Sequence, residues 1–228
     1  MLWFDGREAL ALPDKDEAIL VVPAVNPIDD TLWSYVEGFA SRVERVELRP
    51  DDFNPYFDRY RWSVEGSAEA LKTAMEPAEE PGTVPADVGG HLSFLGYRLE
   101  ETDWTSGSTY VLHTFWRVER PLPQERHGIL FVQLLDGQNQ VVAQSDRLDV
   151  PSWGWQEGER FVQVHRLDIP DDASAGAYTL IAGAYTVPDR VDAVLAGKAP
   201  DPAMPRLSVT DDEGRVTDHI VLRTIEVE

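Results

Sequence analysis

Two tryptophans flank a single glycine in Pro151-Ser152-Trp153-Gly154-Trp155-Gln156-Glu157-Gly158-Glu159, and no other stretch of the chain looks so suited to recognition. Aromatic faces presented from a loop can stack against sugar rings. The same rings turned inward would instead close the open end of a core, so Trp153 and Trp155 carry both readings. Trp104 follows Glu100-Glu101-Thr102-Asp103 and sets a ring beside carboxylates that accept from sugar hydroxyls; its alternative is a rim position between two strands. Calcium is the cation that oxygen-rich loops of this composition would take. Asp211-Asp212-Glu213-Gly214 is the first place for it, Asp168 with Asp171-Asp172 the second, and Asp146 with Asp149 near Gln144 the third. None has the spaced ligand series of a dedicated calcium loop, so solvated turns compete with the metal reading and no other cofactor is expected. His113 stands alone between Leu112 and Thr114, where a packed, hydrogen-bonded imidazole is a simpler reading than a base or a ligand.

Nucleophilic and phosphate chemistry lack their signatures: there is no G-x-S-x-G elbow, phosphate-cradling G-x-x-x-x-G-K-[ST] loop, dinucleotide G-x-G-x-x-G or H-E-x-x-H pair. Glycoside hydrolysis needs two carboxylates, and 41 acidic residues supply too many pairs for any one to stand out. With no cysteine, the chain has no disulfides, thiol nucleophiles or zinc-thiolate sites. A net charge of -21 repels phosphate backbones and anionic leaflets, so nucleic acid is not an expected partner. The longest apolar run, Ala18 to Val25, is far short of the roughly 20 residues a membrane-spanning helix requires. Met1-Leu2-Trp3-Phe4 passes at once into Asp5-Gly6-Arg7-Glu8, without the basic and apolar regions of a signal peptide.

The elements that must hold these residues fall into two groups. Residues 1–75 read as a small α/β unit. Ala18–Val22 suits a buried strand, and Asp29 or Asp30 can cap a helix with Leu32, Trp33, Val36, Phe39 and Ala40 on one face. Arg42–Leu48 and Arg61–Val64 add strands, and a short helix follows from about Ser67 to Met75. Residues 76–88, with Pro77, Pro81, Pro85 and three glutamates, read as a linker. Residues 89–228 then carry strand signals at short intervals: 91–99, 109–118, 128–135, 140–146, 160–167, 177–186, 207–210 and 219–227. Asp136-Gly137-Gln138-Asn139 and Asp211-Asp212-Glu213-Gly214 are turn sequences, and 189–204 reads as a rim excursion with a helical middle over 190–196. Alternation in Tyr110, Leu112, Thr114, Trp116 and Val118, and again over 161–167, predicts one buried face per strand. The fold expected is mainly β: an antiparallel two-sheet β-sandwich of Ig-like or jelly-roll type, preceded by the small α/β unit.

Five segments carry a family resemblance: Phe94-Leu95-Gly96-Tyr97; Leu112-His113-Thr114-Phe115-Trp116-Arg117; Phe131-Val132-Gln133-Leu134-Leu135-Asp136-Gly137-Gln138; Val142-Ala143-Gln144-Ser145-Asp146; and Gly176-Ala177-Tyr178-Thr179-Leu180. Together they resemble the soluble C-terminal domains of multi-spanning bacterial membrane glycosyltransferases of family 39, the protein-mannosyltransferase-like group. Phe4-Asp5-Gly6-Arg7 with Leu12-Pro13 is similar to the segment that follows the last membrane span in that group. In that group the catalytic acid lies in the membrane-embedded part, so no active-site residue carries over and the fragment is not expected to be an enzyme by itself. The resemblance implies a non-catalytic accessory domain on the extracytoplasmic face of the membrane. Its partners would be the membrane-embedded portion of the same protein and a glycan or glycosyl acceptor. The competing expectation is a structural module that contacts protein through an exposed strand edge.

Overall fold

The computed structural model describes residues 2–15, 17–49, 51–63, 85–100, 103–188, 205–211 and 213–228. In chain order the elements are β1 (Ala9–Leu12), β2 (Glu17–Pro23), α1 (Asp30–Ser34), β3 (Ala40–Glu47), β4 (Tyr56–Ser63), β5 (Ala86–Val88), β6 (Leu92–Leu99), β7 (Thr109–Val118), β8 (Arg126–Leu135), β9 (Val141–Arg147), β10 (Arg160–Asp168), β11 (Gly176–Pro188), β12 (Val209–Thr210), β13 (Val216–Thr217) and β14 (Ile220–Val227). They form three antiparallel sheets, ordered β1-β10-β7-β6-β5-β12-β13, β14-β11-β8-β9 and β2-β4-β3. The first two sheets face each other as a β-sandwich.

Alternate residues explain why these strands lie where they do. Tyr110, Leu112, Trp116 and Val118 of β7 point into the core between the two sandwich sheets, where they meet Leu130, Val132 and Leu134 of β8 and Leu180, Ala182 and Ala184 of β11. Phe115 of β7 points the other way, into a second core with Leu10, Leu12, Val162 and Val164, which Leu32, Tyr35, Val36 and Trp62 of the N-terminal unit cover. β7 and β10 are therefore buried on both faces, not on one. The N-terminal unit supplies the missing cover, something local alternation cannot report.

The eight strands expected over 89–228 match to within a residue or two, β13 is a further one, and both turns form with their own chemistry. Asp136 Oδ1 accepts from the N–H groups of Gln138 and Gln140 at 2.9 and 2.8 Å, with Asn139 at φ 59°. Gly214 takes φ 79° in the second turn. The N-terminal unit differs more. Asp29 caps α1 by accepting from Thr31 N–H at 2.9 Å, but the helix lasts only to Ser34 and Ala40 already opens β3. β4 starts five residues before Arg61, and β1 is a sandwich strand that pairs with β10, so 1–75 and 89–228 share one sheet and one core. Ala86–Val88, within the expected linker, is β5 of the large sheet; the rest of that linker through 84, and the helices expected at 67–75 and 190–196, lie outside the described residues.

Candidate functional site

The sandwich disposes of the three sequence-derived tryptophans in different ways. Trp153 sits in a single 3-10 turn, Ser152–Gly154, with 61% of its surface exposed. Trp155 is buried: its Nε1–H donates to Val150 O at 3.1 Å and its ring stacks on Phe161 with centroids 5.6 Å apart. Trp104 is buried as well, stacked on Tyr110 at 4.0 Å and 12°. Neither Trp104 nor Trp155 offers a face to a ligand, because each closes one end of the core. That corrects the ligand-binding expectation for Trp104 and Trp155 and agrees with the core-closing alternative for Trp155.

The carboxylates named for calcium are spent locally. Asp211 Oδ1 accepts from Glu213 N–H at 3.0 Å and Arg215 N–H at 2.8 Å, while Arg215 Nε donates to Oδ2 at 2.6 Å and holds the carboxyl below its usual range. Glu213 points to solvent and Asp212 lies outside the described residues. Asp168 accepts from Thr109 Oγ1 at 2.6 Å, the Asp171 carboxylate fills the space beside Gly107, and Asp172 borders an open groove. Asp146 accepts from Tyr185 at 3.3 Å, and Asp149 accepts from Arg147 at 2.6 Å and Gln163 at 2.7 Å. Among the described residues no three His, Asp or Glu side chains converge as a metal site would require.

His113 is a packed residue with a full set of partners. Burial raises the Tyr35 phenol to about 12, so Tyr35 stays protonated and donates to His113 Nδ1 at 2.6 Å. Burial, then the nearby Arg98 cation, pushes the His113 imidazole down to about 4. Its remaining proton therefore sits on Nε2, which faces Glu100 Oε1 at 3.5 Å. This chain of contacts fastens the loop after α1 to β7.

What the sequence reading did not bring together is an aromatic cleft in the N-terminal unit. Tyr56, Asp58, Tyr60 and Trp62 alternate along β4, so all four share one face of the three-stranded sheet. Trp62 is sealed into the second core and fixes the strand, whereas Tyr56, Asp58 and Tyr60 continue past the sandwich and line an opening with Pro23, Asp30 and Trp33. Trp33 is set by α1: the Asp29 cap and buried Leu32 orient the turn, and the Trp33 ring leans on Tyr60 with centroids 4.8 Å apart and planes at 58°. The cavity measures about 230 Å³, below the roughly 300 to 1,000 Å³ of drug-sized sites, so it suits one small ring.

Asp58 in the cleft is held as an ion pair. Arg45 donates from Nε and Nη2 to the two oxygens of Asp58, both at 2.8 Å, and the same guanidinium lies 3.7 Å over the centre of the Tyr56 ring. This pairing keeps Asp58 below the ordinary carboxylate range, the reverse of what a proton-donating acid needs. The cleft therefore offers the tilted rings of Trp33 and Tyr60 and two carboxylates as hydrogen-bond acceptors, Asp30 and Asp58, the latter already bonded through both oxygens to Arg45.

Fold and cleft together define a class: an antiparallel β-sandwich whose N-terminal sheet unit, docked on the outer face of one sandwich sheet, carries a small aromatic and acidic cleft. No family model and no curated protein matches the chain. Among solved structures it is similar to the C-terminal domain of Wzt, at 14% identity over 65% of this chain and 82% of that one, with a TM-score of 0.38. It is also similar to a β-glucuronidase from glycoside hydrolase family 2, at 12% identity and a TM-score of 0.28, over 59% of this chain and only 13% of the enzyme.

Proposed function

We propose that this chain is a non-catalytic glycan-recognition domain that seats one sugar ring in the Trp33–Tyr60 cleft. The observation that carries the reading is the pair of tilted aromatic rings at 4.8 Å with Asp30 and Asp58 beside them. The C–H faces of a pyranose pack on such rings, and its hydroxyls donate to such carboxylates. The uncharged rings and acidic rim favour neutral or amino sugars over acidic ones. The resemblance to the appended domains of family 39 membrane glycosyltransferases supports the setting: an accessory domain on the extracytoplasmic face, beside the membrane-embedded part of the same protein, that holds a glycan or acceptor near it.

Saturation-transfer NMR with a panel of soluble neutral oligosaccharides tests the proposal. Transfer to one sugar ring is expected from the wild-type chain, and Tyr60→Ala should weaken it by at least about tenfold, or about 1.4 kcal/mol. Transfer that Tyr60→Ala leaves unchanged would move the site elsewhere and remove the observation on which the reading stands.

A further inference from the structure

Sheet edges are dangerous when long, apolar and uncharged, because their free N–H and C=O groups accept any passing strand. Among the described residues five of the six sheet edges are guarded. β1 is four residues long and wholly buried, β13 is two residues long, and β3, β9 and β14 each carry both acidic and basic side chains. β2 is the exception. It is seven residues long, uncharged from Ala18 to Pro23, and among the described residues has a partner, β4, on one side only. The other long uncharged stretches of strand, Leu92–Tyr97 of β6, Thr109–Trp116 of β7, Gly128–Leu135 of β8 and all of β11, are central and paired on both sides. Ile19 and Val21, on the face of β2 turned away from the cleft, remain 48% and 51% exposed.

We infer that β2 is an interface, and that its partner is the β2 strand of a second copy of the chain, paired antiparallel across a two-fold axis. Full overlap of the seven residues centres the axis on Leu20. Leu20 then lies opposite its own counterpart, Ile19 opposite Val21, Ala18 opposite Val22 and Glu17 opposite Pro23, so no like charges face each other and the exposed apolar side chains cover one another. A net charge of -21 per chain makes two copies repel at long range, which leaves a neutral surface such as this one as the place where they can meet. The resulting six-stranded sheet ends on two copies of charged β3, so pairing stops at the dimer and does not run on into a filament.

Light scattering coupled to size-exclusion chromatography, over a concentration series of the whole chain, tests the inference. Twice the 25.6 kDa chain mass is expected at high concentration, and a single chain mass is expected for Val21→Lys at every concentration. Val46→Lys, on the opposite edge of the same sheet, should dimerise like wild type. Because the chain has no cysteine, Leu20→Cys reports register directly: oxidation should link two copies through residue 20, whereas Glu17→Cys should not link. Wild type at single-chain mass at all concentrations would overturn the inference, as would a dimer that survives Val21→Lys and does not cross-link through Leu20→Cys.

Discussion

Acidification from pH 7 to pH 4 should strip several kcal/mol of stability from this protein, and two buried imidazoles should account for most of it. Burial pushes His113 down to about 4 and His165 down to about 3, against an ordinary value of 6.5. The unfolded chain takes up protons at these residues near pH 6.5 while the folded chain does not. Their contribution is therefore fully present above about pH 6.5 and is lost as the pH falls through that value toward 4 and then 3. Each site contributes at most about 1.4 kcal/mol per pH unit within its window, so the pair contributes on the order of 6 kcal/mol by pH 4. Asp146 and Glu159, whose carboxyls burial raises, run the other way and offset part of the loss. His165 has Nδ1 at 3.3 Å from Ser145 O and an Nε2 with no partner among the described residues, so His165→Leu removes a titrating group at little cost in hydrogen bonds. Urea midpoints from pH 7 to pH 4 should show about half the wild-type slope in His165→Leu. An unchanged slope would place the acid sensitivity elsewhere.

Replacing the tryptophans should separate core from surface just as sharply. Trp155→Ala and Trp104→Ala each remove a stacked ring from the closed ends of the sandwich, and each should cost about 3 to 5 kcal/mol in denaturant unfolding. Trp153→Ala, at an exposed position, should fall within about 0.5 kcal/mol of wild type. Equal effects at 153 and 155 would contradict the packing described for this loop.

These residues also show where sequence reasoning reached its limit. Strand alternation over 109–118 and 160–168 was legible because each residue's face follows from local period, though burial of the second face was not, and both turns were legible because Asn139 and Gly214 tolerate positive φ. The fate of Trp104 and Trp155 was not, since a ring in a loop points inward or outward according to what packs above it. β1 went unseen because Ala9-Leu10-Ala11-Leu12 is short and finds its partner about 150 residues downstream. The cleft had a signal, the alternation of Tyr56, Asp58, Tyr60 and Trp62, but Phe57, Arg59 and Arg61 on the other face broke the apolar pattern and moved the expected strand start to Arg61. Trp33 could not have been joined to Tyr60 by spacing alone, because they sit on different elements.

Calorimetric titration of the intact chain with the oligosaccharide that gives the strongest NMR response, in wild type, Trp33→Ala and Trp153→Ala, tests the central claim most directly. Recognition in the cleft predicts saturable binding in wild type and Trp153→Ala and a loss of at least about tenfold in Trp33→Ala, with far-ultraviolet dichroism unchanged. Binding retained in Trp33→Ala and lost in Trp153→Ala would put the ligand on the 151–159 loop and contradict the account, and no heat from any sugar would contradict it altogether.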